Sequence, residues 1–79
     1  MSRKEDVDTI ISIVKNVTKE SGITEDSSFM DDLDMASIDI FILLGDVEKE
    51  FHVKISEKYL KQIDTVGDMA DLVIKLKEE

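Results

Sequence analysis

Cysteine, proline and tryptophan are absent from this chain of 79 residues, glycine occurs three times, and aromatic side chains make up 5%. Without cysteine there is no disulfide and no thiolate metal site, so any thiol chemistry must use sulfur from outside the polypeptide. Three scattered glycines make no phosphate-cradling loop. With no proline to interrupt them, patterns of period 3.6 can run on as long helices, and the chain reads as all-α. No run approaches the roughly 18 apolar residues of a membrane span. The opening MSRKEDVDTII meets acids before a signal-peptide apolar segment can form, so the expected location is the cytoplasm. A single histidine, His52, excludes histidine pairs as metal ligands and leaves any catalytic triad dependent on that one side chain.

Acidic charge, by contrast, is plentiful. Nineteen acidic against ten basic side chains give a net charge of −9. That balance argues against nucleic acid and anionic membranes as partners and points to basic protein surfaces. The 42% of hydrophobic residues can supply one core, and a single domain over residues 1–79 is expected, with a radius of gyration of about 12 Å. Ligand clefts usually run to roughly 300–1,000 Å³. A walled catalytic pocket would therefore consume most of the interior.

Along the chain, Ser2 and Glu5 have capping-box spacing, and Val7, Ile10, Ile11, Val14 and Val17 form one helical stripe. Lys15 and Lys19 suit the negative end of that helix, and Gly22 is its expected stop. Residues 21–36 show no clean period. Sixteen irregular residues are long for a structureless loop, and Ile23, Phe29, Met30, Leu33 and Met35 are spaced within them as apolar anchors, so a packed, functional loop is expected. From Ser37 a second helix follows, with Ile40, Leu43, Leu44, Val47 and Phe51 on its core arc. Ile42, Asp46 and Lys49 lie opposite, with Ile38 and Gly45 at the margin, so Ile42 is an apolar residue placed toward solvent, where it is either tolerated or a partner contact. Ser56 and Glu57 begin a short helical turn through Tyr59, Leu60 and Ile63. Thr65 and Asp68 then cap a last helix that turns Val66, Met69, Ala70, Val73 and Leu76 inward. The expected architecture is a four-helix bundle of three longer helices and one short one.

Asp31, Asp32, Asp34 and Asp39 suggest a calcium loop, but starting it at Asp32 puts Ser37 where the glycine belongs and Leu43 where the bidentate glutamate belongs. No metal site is expected. Ser37 is left, at the junction of the long loop and the second helix. A serine there can simply act as an N-cap. The same helix start also favours a phosphate, through unpaired N–H groups and a partial positive charge. No base adjoins Ser37 in sequence, so an external enzyme would have to modify it.

The stretch from Ser28 to Phe51, SFMDDLDMASIDIFILLGDVEKEF, resembles the prosthetic-group segment of acyl carrier proteins. Phe29, Asp32, Leu33, Ser37, Asp39, Val47, Glu48, Glu50 and Phe51 fall in register without gaps, and Val53-Lys54-Ile55 and Ile63-Asp64-Thr65-Val66 resemble the downstream segments. The resemblance implies a 4′-phosphopantetheine group, transferred from coenzyme A by a phosphopantetheinyl transferase and joined to Ser37 as a phosphodiester. It implies a monomeric carrier that catalyses nothing. The arm's thiol holds acyl groups as thioesters for enzymes of fatty acid, polyketide or related lipid synthesis, whose basic patches recognise the second helix. Matching recognition positions are Ile38, Asp39, Asp46 and Glu48, with Ile42 standing where the family has an exposed glutamate. Ala36 replaces the usual aspartate before the serine, Ile38 a leucine, Asp34 a common glycine, and Lys49 an acidic residue. An aminoacyl or peptidyl carrier on the same fold, and an unmodified acidic interaction module, are the alternatives.

Overall fold

The computed structural model describes residues 3–78; the Ser2 cap proposed for the first helix lies outside them. Helix α1, Arg3–Thr18, buries Val7, Ile10 and Val14 along one stripe, with Glu5 and Asp6 in its first turn and Lys15 in its last. Its end differs from the sequence reading. Lys19, not Gly22, takes the left-handed conformation that closes the helix, at φ 63°, and donates its N–H to the Lys15 carbonyl at 2.8 Å. That bond satisfies a carbonyl the helix would otherwise leave unpaired, so Gly22 serves the following turn instead.

Helix α2, Ser37–Phe51, buries Ile40, Leu43, Leu44 and Val47, and ends on His52, again left-handed, at φ 57°. A five-residue 3₁₀ helix follows, Glu57–Lys61, shorter than the turn expected to reach Ile63. Helix α3, Val66–Lys77, turns Val66, Met69, Ala70, Leu72 and Val73 inward. The architecture is thus three α-helices and one 3₁₀ helix, with no named strand among the described residues. Helix α1 packs against both α2 and α3. Ile10, Val14, Leu43, Val47, Val66, Met69, Ala70 and Val73 close the interior where these helices meet. Apart from Ala70, each of these fully buried side chains contributes about 1.5–3 kcal/mol.

The long loop, residues 19–36, is packed as expected. Phe29 is 1% exposed, and Leu33 and Met35 are buried with it. Met30 is the exception: at 59% exposure it is no anchor, because the turn that inserts Phe29 directs its neighbour outward. Ser28 organises this turn. Its N–H donates to Asp32 Oδ2 at 2.7 Å and its hydroxyl to Asp64 Oδ1 at 2.9 Å, while its Oγ accepts from the Asp31 N–H at 3.2 Å. Backbone bonds from Phe29 N–H to the Asp64 carbonyl, Val66 N–H to the Ser27 carbonyl and Gly67 N–H to the Glu25 carbonyl tie the loop to the start of α3. The approach is so close that a Cβ on Gly67 would lie 2.9 Å from Glu25 Cγ.

Two ionic ties join α1 to α3. Lys77 Nζ meets Asp6 Oδ2 at 3.1 Å in a partly buried pair and lies 5.5 Å from the centre of the Phe51 ring. Arg3 reaches Asp71 at 2.8 Å and Glu25 at 2.6 Å. Hydrogen bonds to Asp71 and then Glu25 push the Arg3 guanidinium further up from an already high pKa, so it stays a cation at every working pH. No helix among the described residues is long and apolar enough to cross a membrane.

Candidate functional site

Ser37 is the first residue of α2, one position later in the capping scheme than the sequence reading gave it. The N-cap is Ala36, in extended conformation at φ −80° and ψ 167°, and its carbonyl accepts the first intrahelical bond, from the Ile40 N–H at 3.1 Å. A methyl side chain accepts nothing, so the outgoing half of a capping box is missing. The return half is present: Asp39 Oδ2 accepts the Ala36 N–H at 3.1 Å. Buried Leu33 and Met35 fix the approach to this helix start, with the Met35 N–H donating to the Phe29 carbonyl at 2.9 Å. Between them Asp34 is left-handed at φ 52°. That conformation explains why glycine suits the position, and aspartate is among the few other residues that tolerate it.

The consequence is an uncovered helix start. Ser37 is exposed, and its hydroxyl has no hydrogen-bond partner among the described residues. The N–H groups of Ser37, Ile38 and Asp39 precede the first intrahelical bond and point out of the helix end. A phosphate ester on this hydroxyl would sit beside three unpaired donors and the positive end of a fifteen-residue helix. The residues present therefore fit a phosphodiester-linked arm. Nothing here ionises the hydroxyl: Asp39 is engaged by Ala36, and His52 lies about 22 Å away by helical rise, at the other end of α2. Among the described residues no group of three or more metal-ligating side chains comes together.

The other positions singled out from sequence are distributed along α2. Ile38 is 69% and Ile42 53% exposed, and Asp46 is exposed without a partner among the described residues. Glu48 is different. It is half-buried, and its Oε2 accepts the Ile55 N–H at 2.6 Å, pinning the segment after α2 back onto the helix. Sequence reasoning passed over Phe41, which is 44% exposed. Its position three residues after Ile38 places it off the core arc, so the helical periodicity already carried that signal. A surface hollow of about 280 Å³ beside the helix start is lined by Val17, Thr18, Leu33, Met35 and Asp39. Another of about 250 Å³ lies between the 3₁₀ helix and α3, lined by Tyr59, Ile63 and Leu72.

A family model described as the phosphopantetheine attachment site matches residues 8–73. The chain belongs to the acyl carrier protein family. An acyl carrier protein of Thermotoga maritima is 38% identical over 76 residues, covering 94% of each chain. The meromycolate extension acyl carrier protein of Mycobacterium leprae is 35% identical over 81 residues, covering all of this chain and 70% of its own. In structure, the crystal structure of an acyl carrier protein from Thermotoga maritima matches with a TM-score of 0.82 at 29% identity, covering 99% of this chain and 93% of that one. Carriers of this family hold a covalent phosphopantetheine group, whose thiol supplies the thioester chemistry that a chain without cysteine lacks. They work with acyl-processing enzymes and with the transferase that installs the arm.

Proposed function

We propose that this carrier, a single domain over residues 1–79, bears its 4′-phosphopantetheine on Ser37 and works as a cytoplasmic monomer with no catalytic activity of its own. The observation that carries this reading is the exposed, unpartnered hydroxyl at the bare start of α2. In the attachment step Ser37 Oγ forms a bond to the phosphorus of coenzyme A that carries the pantetheine. The bond from that phosphorus to the nucleotide phosphate breaks, and 3′,5′-ADP leaves. The hydroxyl proton goes to a base on the transferase, because none of the described residues is hydrogen-bonded to Ser37 Oγ. Acyl groups are then presented to fatty acid or related biosynthetic enzymes whose basic surfaces meet the acidic flank of α2, with Ile38, Asp39, Ile42, Asp46 and Glu48 as the recognition positions. The acyl-carrier names of the relatives favour acyl over aminoacyl cargo.

Incubation with coenzyme A and a broad-specificity phosphopantetheinyl transferase should add one phosphopantetheinyl group by intact mass, and Ser37→Ala should abolish the addition. An unchanged mass with several such transferases would sink the assignment. Ala36 supports a second reading, an unmodified acidic interaction module, because it removes the carboxylate beside the reacting hydroxyl. Ala36→Asp should then speed modification. Protein that is always unmodified when recovered from its own cells would decide for the module.

A further inference from the structure

We infer that α2 is recognised by the transferase that modifies Ser37 mainly through an apolar stripe, Ile38–Phe41–Ile42, rather than through its carboxylates. This rests on Ser37 being the attachment point. Placing residues 100° apart, the three side chains and Gly45 form one continuous strip of the solvent face, the three side chains within two turns of Ser37. They are 69%, 44% and 53% exposed, and the arc that α2 buries carries Ile40, Leu43, Leu44 and Val47 instead. Gly45 sits in mid-helix with nothing within 4 Å of the position a Cβ would take. Glycine there weakens a helix relative to alanine, and no packing need inside this chain accounts for it. It leaves the strip flat, open to close approach by another surface.

The fold also restrains the carboxylates beside this face. Asp39 Oδ2 is bound to the Ala36 N–H and Glu48 Oε2 to the Ile55 N–H, so one oxygen of each of two recognition carboxylates is already held by the carrier's own backbone. Ala36 supplies none, and Lys49 places a cation on the same face. Asp46 and Glu50 remain, both on one flank of the strip. The surface that fits is an apolar trough with cations along a single edge. Any enzyme that reaches the Ser37 hydroxyl must cover the first two turns of α2, where the strip lies, so the transferase is the occupant. A second copy of this chain is disfavoured because each carries a net charge of −9.

Substituting Ile42→Glu discriminates, because the two modes predict opposite signs. It adds a carboxylate to the acidic face and removes apolar area from the strip, at an exposed site that leaves the core intact. We would measure the Kd of the unmodified protein for a broad-specificity phosphopantetheinyl transferase by calorimetry, and the KM and kcat of modification by mass. In the apolar mode, Kd and KM rise about tenfold in Ile42→Glu with kcat unchanged. Raising NaCl from about 0.05 to about 0.5 M then changes the wild-type Kd less than about twofold, and Asp46→Asn has a similarly small effect. Tighter binding by Ile42→Glu, or a wild-type Kd that climbs about tenfold with salt, overturns the inference while leaving Ser37 as the attachment point. Absence of any mass gain fails the attachment itself, and the inference with it. A wild-type dimer in sedimentation that Ile42→Glu dissolves would assign the strip to a second copy and overturn the inference too.

Discussion

The two helix starts that flank the second half of the chain are built from the same spacing and end in opposite states. At α3, Thr65 Oγ1 accepts the Asp68 N–H at 3.1 Å and Asp68 Oδ2 accepts the Thr65 N–H at 3.1 Å, completing a capping box. Asp68 also takes the Asp64 N–H at 3.0 Å, and the long loop is bonded across the whole junction. At α2, Ala36 and Asp39 hold the same positions, but only the return bond forms. Among the described residues no hydrogen bond reaches the Ser37 hydroxyl. One helix start is sealed into the core, and the other is left with its donors facing solvent. A helix N-terminus that is fully satisfied stabilises the fold; one that is not remains available to a phosphate. This molecule uses one of each, and the sealed end holds the loop that delivers the chain to the open one.

Breaking the seal should have the largest effect. Phe29→Ala removes the largest fully buried side chain, from the loop that links the two sites, and should cost about 3–5 kcal/mol. Urea unfolding followed by circular dichroism should then show a chain largely unfolded without denaturant, since small domains have little more stability than that. A loss below about 1 kcal/mol would mean the loop is not part of the core. Thr65→Ala, which reduces the α3 start to the state of α2, should cost about 1 kcal/mol and lower Tm by about 4–8 °C. The smallest change runs the other way. Ala36→Ser supplies the missing acceptor at α2 without adding charge, and should stabilise by at most about 1 kcal/mol. If Thr65→Ala is neutral while Ala36→Ser stabilises, the contrast between the two starts is not one of capping.

Much of this was legible before the structure. The α1 and α2 core stripes are carried by period 3.6, and the Thr65–Asp68 cap by three-residue spacing, because both are local consequences of helix geometry. The loop anchors Phe29, Leu33 and Met35 were legible as apolar residues in a polar stretch, but Met30 was not separable from them. Its exposure depends on the Ser28 turn, whose partner Asp64 is thirty-six residues away. The stop at Lys19 was missed for a similar reason: a lysine in the left-handed region costs free energy that only the surrounding packing can offset. Glu48 read as a surface acid because its partner, the Ile55 N–H, is brought back only by the turn after α2.

Composition and periodicity alone determined that this is a helical, acidic protein without a thiol of its own, with a serine at the start of its second long helix. Those are properties of residue type and near-neighbour spacing. Which carboxylates are spent on the backbone, which apolar side chains stay outside, and which helix start is left uncovered were settled only by tertiary structure. Each depends on hydrogen bonds and contacts between residues that only the fold brings together.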